Sequence, residues 1–163
     1  MIAGLLAMTA AVAGATAFTG VAHAEPARCS STGGTNMTIV SGPTACGAET
    51  DATGVAESYG DGGVGYANAV AGATAIGIGL DGGVGASQGA GGVPAAIGIG
   101  ADSVAITSVN GGTLSVAVAL PESQALVSDV DRRVVCQGPS AVAVNALTGL
   151  YCVATPVGIW ANG

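Results

Sequence analysis

The sequence predicts an all-β domain that forms a β-solenoid, a β-roll-like repeat or a stack of β-hairpins, with its ends closed by disulfides. Residues 61–65, Asp-Gly-Gly-Val-Gly, return as residues 81–85, and residues 75–79, Ala-Ile-Gly-Ile-Gly, return as residues 96–100. These spacings of 20 and 21 residues are typical of solenoids. Each copy joins a Gly-rich corner to a run in which Ile alternates with Ala or Gly, the period-two pattern of a strand. One unit cannot bury its face alone, so the units are expected to stack.

The composition limits the size of the core. Of the 163 residues, 8% are charged, 3% are aromatic and 29 are Gly, and the formal net charge is −7. Average proteins contain about 25% charged residues and about 7% Gly. Because so many residues are Ala or Gly, a thick core of large side chains is not expected, while the low charge argues against a disordered chain. The sequence therefore predicts one ordered, Gly-rich domain.

Residues 1–24 are predicted to form a secretory signal peptide. An Ala- and Val-rich run ends at Ala22-His23-Ala24, with small residues where signal peptidase requires them. The alternative is a membrane anchor, since the run is long enough to span a bilayer. We expect cleavage, a mature chain of residues 25–163, secretion or association with the cell envelope, and no stable membrane insertion after cleavage.

Four cysteines form two close pairs at opposite ends of the mature chain: Cys29 and Cys46, and Cys136 and Cys152. In an oxidising compartment an even count predicts disulfides, and four cysteines allow three connectivities. We favour Cys29 with Cys46 and Cys136 with Cys152, because each bridge then closes one end of the repeat region. A zinc site is the alternative, but the C-x-x-C spacing typical of such sites is missing.

The mature chain divides into three regions. Residues 25–53 are expected to form an N-terminal cap with one strand at 37–40, residues 54–120 the Gly/Ala/Ile repeats, and residues 121–163 a C-terminal cap. Within the repeats, Asn110-Gly111-Gly112 is a strong turn signal, so the runs on either side could instead pair as a β-hairpin. In the C-terminal cap, Arg132 and Arg133 indicate either a solvated edge segment or an anion contact.

Two further expectations concern where side chains point. Tyr151 and Trp160 are expected to pack within the C-terminal cap, with a ligand platform as the alternative. The larger repeat residues are expected to point inward, namely Ile76, Ile78, Ile97 and Ile99. A smooth outer face of small residues would then remain, namely Ala75, Gly77, Ala96 and Gly98. Since a large apolar patch is seldom left exposed on a monomer, this repeat face predicts a homo-oligomer.

The residue inventory excludes several kinds of chemistry. His23 is the only His and would leave with the signal peptide, and the three basic residues are all Arg. Ser-His-Asp and Cys-His catalysis and lysine Schiff bases are then excluded, and no catalytic or cofactor-binding residue and no cofactor is predicted. Nucleic-acid binding is not expected of so acidic a chain. The sequence predicts a non-enzymatic exported structural or interaction protein, with a carboxylate-based hydrolase as a residual alternative.

A small binding module for calcium or carbohydrate is the alternative function. Asp81 and Asp102 follow Gly-x-Gly-x in two repeats, which echoes part of the calcium-binding β-roll motif. They are the weak metal candidates of the chain, and they would recur at one corner if each repeat is a turn. The other interpretation is that Asp simply begins the corner turn.

Residues 96–106, Ala-Ile-Gly-Ile-Gly-Ala-Asp-Ser-Val-Ala-Ile, resemble the head repeats of trimeric autotransporter adhesins. The similarity extends over residues 69–107, and it implies a left-handed parallel β-roll. The whole chain, with its export signal, Gly/Ala/Val-rich body, paired cysteines and acidic charge, also resembles small secreted actinobacterial proteins of unknown function. That second resemblance implies secretion and no particular mechanism.

Overall fold

The computed structural model describes residues 25–162, in which every regular element is a β-strand. The predicted signal peptide, residues 1–24, lies outside the described residues. The strands are β1 (Ala27–Thr32), β2 (Asn36–Ser41), β3 (Thr44–Thr50), β4 (Val55–Asp61), β5 (Val64–Val70), β6 (Thr74–Leu80), β7 (Val84–Ala90), β8 (Val93–Ile99), β9 (Val104–Val109), β10 (Leu114–Ala119), β11 (Gln124–Ser128), β12 (Arg133–Gln137), β13 (Ala141–Asn145), β14 (Leu150–Thr155) and β15 (Gly158–Ala161). The prediction of an all-β fold is confirmed.

The strands form two sheets, and between β3 and β11 the chain crosses from one sheet to the other at every corner. Sheet A has the order β1-β4-β6-β8-β10-β13-β14-β15, and sheet B the order β12-β11-β9-β7-β5-β3-β2. From β3 to β9 each strand pairs in parallel with the strand one turn further along, which makes a β-solenoid of about four turns. The hairpin alternative around residues 110–112 is wrong, because β9 lies in sheet B and β10 in sheet A.

Both ends of the solenoid are closed by antiparallel strands and a disulfide. At the N-terminal end β1 pairs with β4 and β2 with β3, and at the C-terminal end β12 pairs with β11 and β13 with β10. Cys29 on β1 is bonded to Cys46 on β3, and Cys136 on β12 to Cys152 on β14, with Cα atoms 5.6 and 5.8 Å apart. The favoured pairing is confirmed, and each bridge joins sheet A to sheet B.

The interior between the sheets is filled by small residues, and this overturns the predicted facing of the repeats. Ala75 and Ala96 are fully buried, whereas Ile76, Ile78, Ile97 and Ile99 point outward and stay partly exposed. The expectation that these four Ile residues point inward was therefore wrong, as was the smooth outer face of small residues.

The short corners explain this arrangement. They contain only two to four residues between strands, so they hold the two sheets close together. A Cβ atom added to Gly65 would lie 2.7 Å from the carbonyl oxygen of Gly77, and one added to Gly85 would lie 2.7 Å from the carbonyl oxygen of Ala96. Sheets that interleave larger side chains stack about 10 Å apart. The inward positions are accordingly filled mostly by Gly, Ala and Ser, and the few larger buried side chains include Pro94, Thr107 and Val109.

Candidate functional site

The outer face of sheet A carries aligned rows of apolar side chains. Because small residues occupy the interior, the alternate positions of each strand place their larger side chains outside. The register joins outward residues of eight neighbouring strands into one row, Arg28, Tyr59, Ile78, Ile97, Val118, Val142, Val153 and Trp160. A second row beside it contains Ser30, Glu57, Ile76, Ala95, Val116, Val144 and Tyr151.

Six adjacent strands of this sheet contain no charged residue. They are β6, β8, β10, β13, β14 and β15, and we call their outward surface the apolar face. The charged residues of sheet A, Arg28, Glu57 and Asp61, all lie on β1 and β4 at one edge. A row of Ile and Val at the strand spacing is a flat surface that water solvates poorly.

The outer face of sheet B differs in having a polar row. Glu49, Asn68, Gln88 and Ser108 are aligned across four strands. The hydroxyl of Tyr66 donates to Oε2 of Glu49 at 3.1 Å, and the amide of Asn68 donates to the same oxygen at 3.3 Å. The most exposed large apolar residues on the parallel strands of sheet B are Val64, at 39%, and Ile106, at 38%. The two faces of the solenoid are therefore chemically distinct.

Two aromatic side chains lie at the far edge of the apolar face. Tyr151 is 44% exposed and Trp160 is 52% exposed. Trp160 is paired with Val153, which places it diagonally next to Tyr151, at a Cα separation of about 7–8 Å. The expectation that both pack within the C-terminal cap was wrong, because β15 ends sheet A and the apolar face stays uncovered in the described part of the chain.

Asp81 and Asp102 lie in successive corners on the same side of the solenoid but at different positions within them. The register that pairs Val84 with Val104 aligns Asp102 with Gly82 rather than with Asp81. Both aspartates have a left-handed backbone, with φ of 51° and 58°. Across residues 25–162 no three or more His, Cys, Asp or Glu side chains gather where they could hold a metal ion.

The adjacent arginines line different depressions. Arg132 borders an open cavity of about 710 Å³ next to Asp129 and Leu147, whereas Arg133 begins β12 and borders a smaller one along sheet B. The carboxylate of Asp129 accepts from the side-chain amide of buried Asn145 and, at 3.2 Å, from the backbone N–H of Asn110. The carboxylate that borders the cavity is thus already used to hold the corner after β9 and the end of β13 in place. Because the two guanidinium groups border different depressions, they do not form one anion site.

Asp51 has a structural role that the sequence analysis missed. Its Oδ1 accepts from the backbone N–H groups of Thr53 and Gly54, both at 2.8 Å, and its Oδ2 accepts from the N–H of Ala71 in the next corner at 2.7 Å. These hydrogen bonds, led by that from Ala71, lower the pKa of Asp51 to about 2. The signal in the sequence is Asp three residues before Gly, a common turn pattern.

These features define a small β-solenoid with a Gly/Ala-rich interior, one disulfide at each end and an outer face on which six adjacent strands carry no charge. The chain belongs to a family of unknown function, DUF6764, whose family model matches residues 1–155. No curated protein and no solved structure matches the chain. In residues 25–162 there is also no helix of the length and apolar character needed to cross a membrane.

Proposed function

We propose that the protein is a non-enzymatic, exported interaction module of the cell surface or the medium, and that the apolar face is its binding surface. The observation that carries this proposal is the charge-free row that crosses sheet A from Ile78 to Trp160. Aligned Ile and Val side chains supply no nucleophile, acid or base, but they do supply a surface whose burial is favourable.

The two disulfides support the exported location. Bridges of this kind form and persist outside the reducing cytosol. All four cysteines are bonded, which favours an oxidising compartment and agrees with the signal peptide that the sequence predicts for residues 1–24.

The test is expression of the full chain in a bacterium that exports proteins, followed by intact-mass measurement of the recovered protein. We expect a chain that begins at Glu25 with no free thiol. Retention inside the cell with residues 1–24 attached would contradict export. An activity panel completes the test, because hydrolysis of any substrate that is lost on a single Asp or Glu substitution would contradict the non-enzymatic assignment.

A carbohydrate-binding module is the second candidate, and the exposed pair of Tyr151 and Trp160 favours it. Flat aromatic side chains on neighbouring strands offer a stacking surface for a sugar ring. No matching cluster of carboxylates favours calcium in the described part of the chain. A glycan array separates the two candidates, because binding that disappears in Trp160→Ala but persists in Val142→Asp would favour the carbohydrate module.

A further inference from the structure

We propose that the apolar face binds a second copy of this chain, so that two solenoids stack face to face around a two-fold axis lying in the plane of the contact. This inference rests on the proposed function, since it names the partner of the same surface. Size, charge and shape each favour a second copy.

The size of the face suits a specific dimer. Six strands spaced about 4.8 Å apart, each with about six residues rising about 3.3 Å, cover roughly 600 Å² before side-chain relief is added. Specific interfaces begin at about 600 Å² per partner and average about 800 Å². A contact across the whole of the apolar face therefore reaches the range in which protein pairs are stable.

The distribution of charge allows two acidic chains to meet at this face and disfavours a lipid surface. The chain has a formal net charge of −7, yet the six strands of the apolar face contribute none of it. Two copies thus avoid like charges at the centre of their contact. Anionic membranes attract basic segments, and this chain has only three basic residues, of which only Arg28 lies on sheet A.

The shape of the face is complementary to itself. Its rows of Ile and Val repeat at the spacing of the strands, and a second copy presents the same rows at the same spacing. Sheets with such faces pack by interleaving their side chains, as in β-sandwiches. A two-fold contact uses the same surface on both partners, which is the commonest symmetry of protein dimers.

Val142 and Ile106 provide a matched pair of variants. Val142 lies in the row of the apolar face that runs from Ile78 to Trp160, Ile106 lies on the outer face of sheet B, and each is 38% exposed. Val142→Asp and Ile106→Asp therefore place the same charge on an equally exposed strand position of opposite faces. Thermal melting of both variants checks that each is folded before association is measured.

The experiment is sedimentation velocity of the exported protein over a roughly hundredfold range of concentration, with fluorescence of Trp160, the only Trp. We expect the wild type and Ile106→Asp to reach twice the mass of the chain, with a blue shift of Trp160 emission as the dimer forms. Val142→Asp is expected to stay monomeric, with at least a tenfold weaker association and no shift.

Three outcomes would overturn the second-copy proposal: a wild type that is monomeric throughout, a dimer that persists in Val142→Asp, or a loss of association in Ile106→Asp as well. Binding of the monomer to phosphatidylcholine vesicles without self-association would also overturn it. A monomeric wild type that is exported and inactive on the substrate panel leaves the proposed function standing. A dimer found inside the cell, or one with hydrolase activity, contradicts the proposed function alone.

Discussion

Gly77 of sheet A faces the backbone of Tyr66 in sheet B so closely that a Cβ atom at position 77 would lie 2.6 Å from the carbonyl carbon of Tyr66. Real Cβ atoms essentially never approach another atom within 3.0 Å. A second backbone atom of sheet B adds to the obstacle, since the carbonyl oxygen of Gly85 on β7 would be 2.9 Å away. The size of the side chain that the interior can hold at this position is thus set by the distance between the backbones of the two sheets.

The first prediction follows from that contact. Gly77→Ala is expected to lower the free energy of unfolding by at least about 3 kcal/mol. Overpacking already costs about 1–3 kcal/mol where neighbouring side chains can move aside, and here the obstacle is backbone, which cannot. Gly112→Ala is the control, since nothing lies within 4 Å of its added Cβ, and it should change stability little. Urea unfolding measures both, and equal stabilities would show that the sheets can separate to admit a methyl group.

The second prediction concerns the disulfides that join sheet A to sheet B. Removing either bridge, as Cys29→Ala with Cys46→Ala or as Cys136→Ala with Cys152→Ala, is expected to cost about 3 kcal/mol. Because the bridges lie at opposite ends of the solenoid, the losses should add in the quadruple variant. Chemical denaturation tests this, with reduced wild type as the control that should match the quadruple variant. A loss at one end only would show that the other cap holds without its bridge.

The third prediction uses the pKa of Asp51. Its folded-state value of about 2 lies below the ordinary 3.8, so the ionised carboxylate stabilises the fold. That contribution is fully present above about pH 4, declines as the pH falls towards 2 and is absent below it. In Asp51→Asn the amide oxygen can take the place of Oδ1, but the NH₂ group then takes the place of Oδ2 and faces the N–H of Ala71, which is also a donor. This variant should therefore melt at a lower temperature than the wild type at pH 7.

The difference in melting temperature between the wild type and Asp51→Asn should shrink through that pH window. Asp81→Asn is the matched control, because within the described residues the carboxylate of Asp81 accepts no hydrogen bond at its corner. It should melt like the wild type at every pH. A constant gap for Asp51→Asn down to the lowest pH would contradict the role of its charge.

The fourth prediction compares two buried serines. Both side chains are fully buried, but the hydroxyl of Ser87 donates to the carbonyl of Pro94 at 2.8 Å, whereas that of Ser115 has no partner among the described residues. An unpaired buried hydroxyl costs about 1–3 kcal/mol, and a paired one contributes about 1 kcal/mol. Ser115→Ala should therefore raise the free energy of unfolding and Ser87→Ala should lower it. A denaturation midpoint above that of the wild type for Ser115→Ala and below it for Ser87→Ala would agree with this prediction. A lower midpoint for both variants would contradict it.

Part of the candidate site was visible in the sequence, and part was not. The runs from 114 to 119 and from 141 to 144 alternate strictly and lack charge, which identifies them as strands with two unlike faces. Their alignment into one row with Ile78 and Trp160 requires the register of six strands, which no local pattern encodes. The hydrogen bond from Ala71 to Asp51 likewise joins corners that are adjacent only because the turns stack.

The sequence by itself determined the all-β class and the repeat period and favoured the observed pairing of the cysteines, because strand alternation, repeat spacing and loop closure are properties of neighbouring residues. Only the tertiary structure decided which side of each strand is inside. Alternation of Ile with Gly or Ala defines two faces but does not say which is buried. The two- to four-residue corners hold the sheets so close together that the side chains of Ile76 and Ile97 do not fit between them. These large apolar side chains therefore lie outside, although large apolar side chains are usually buried.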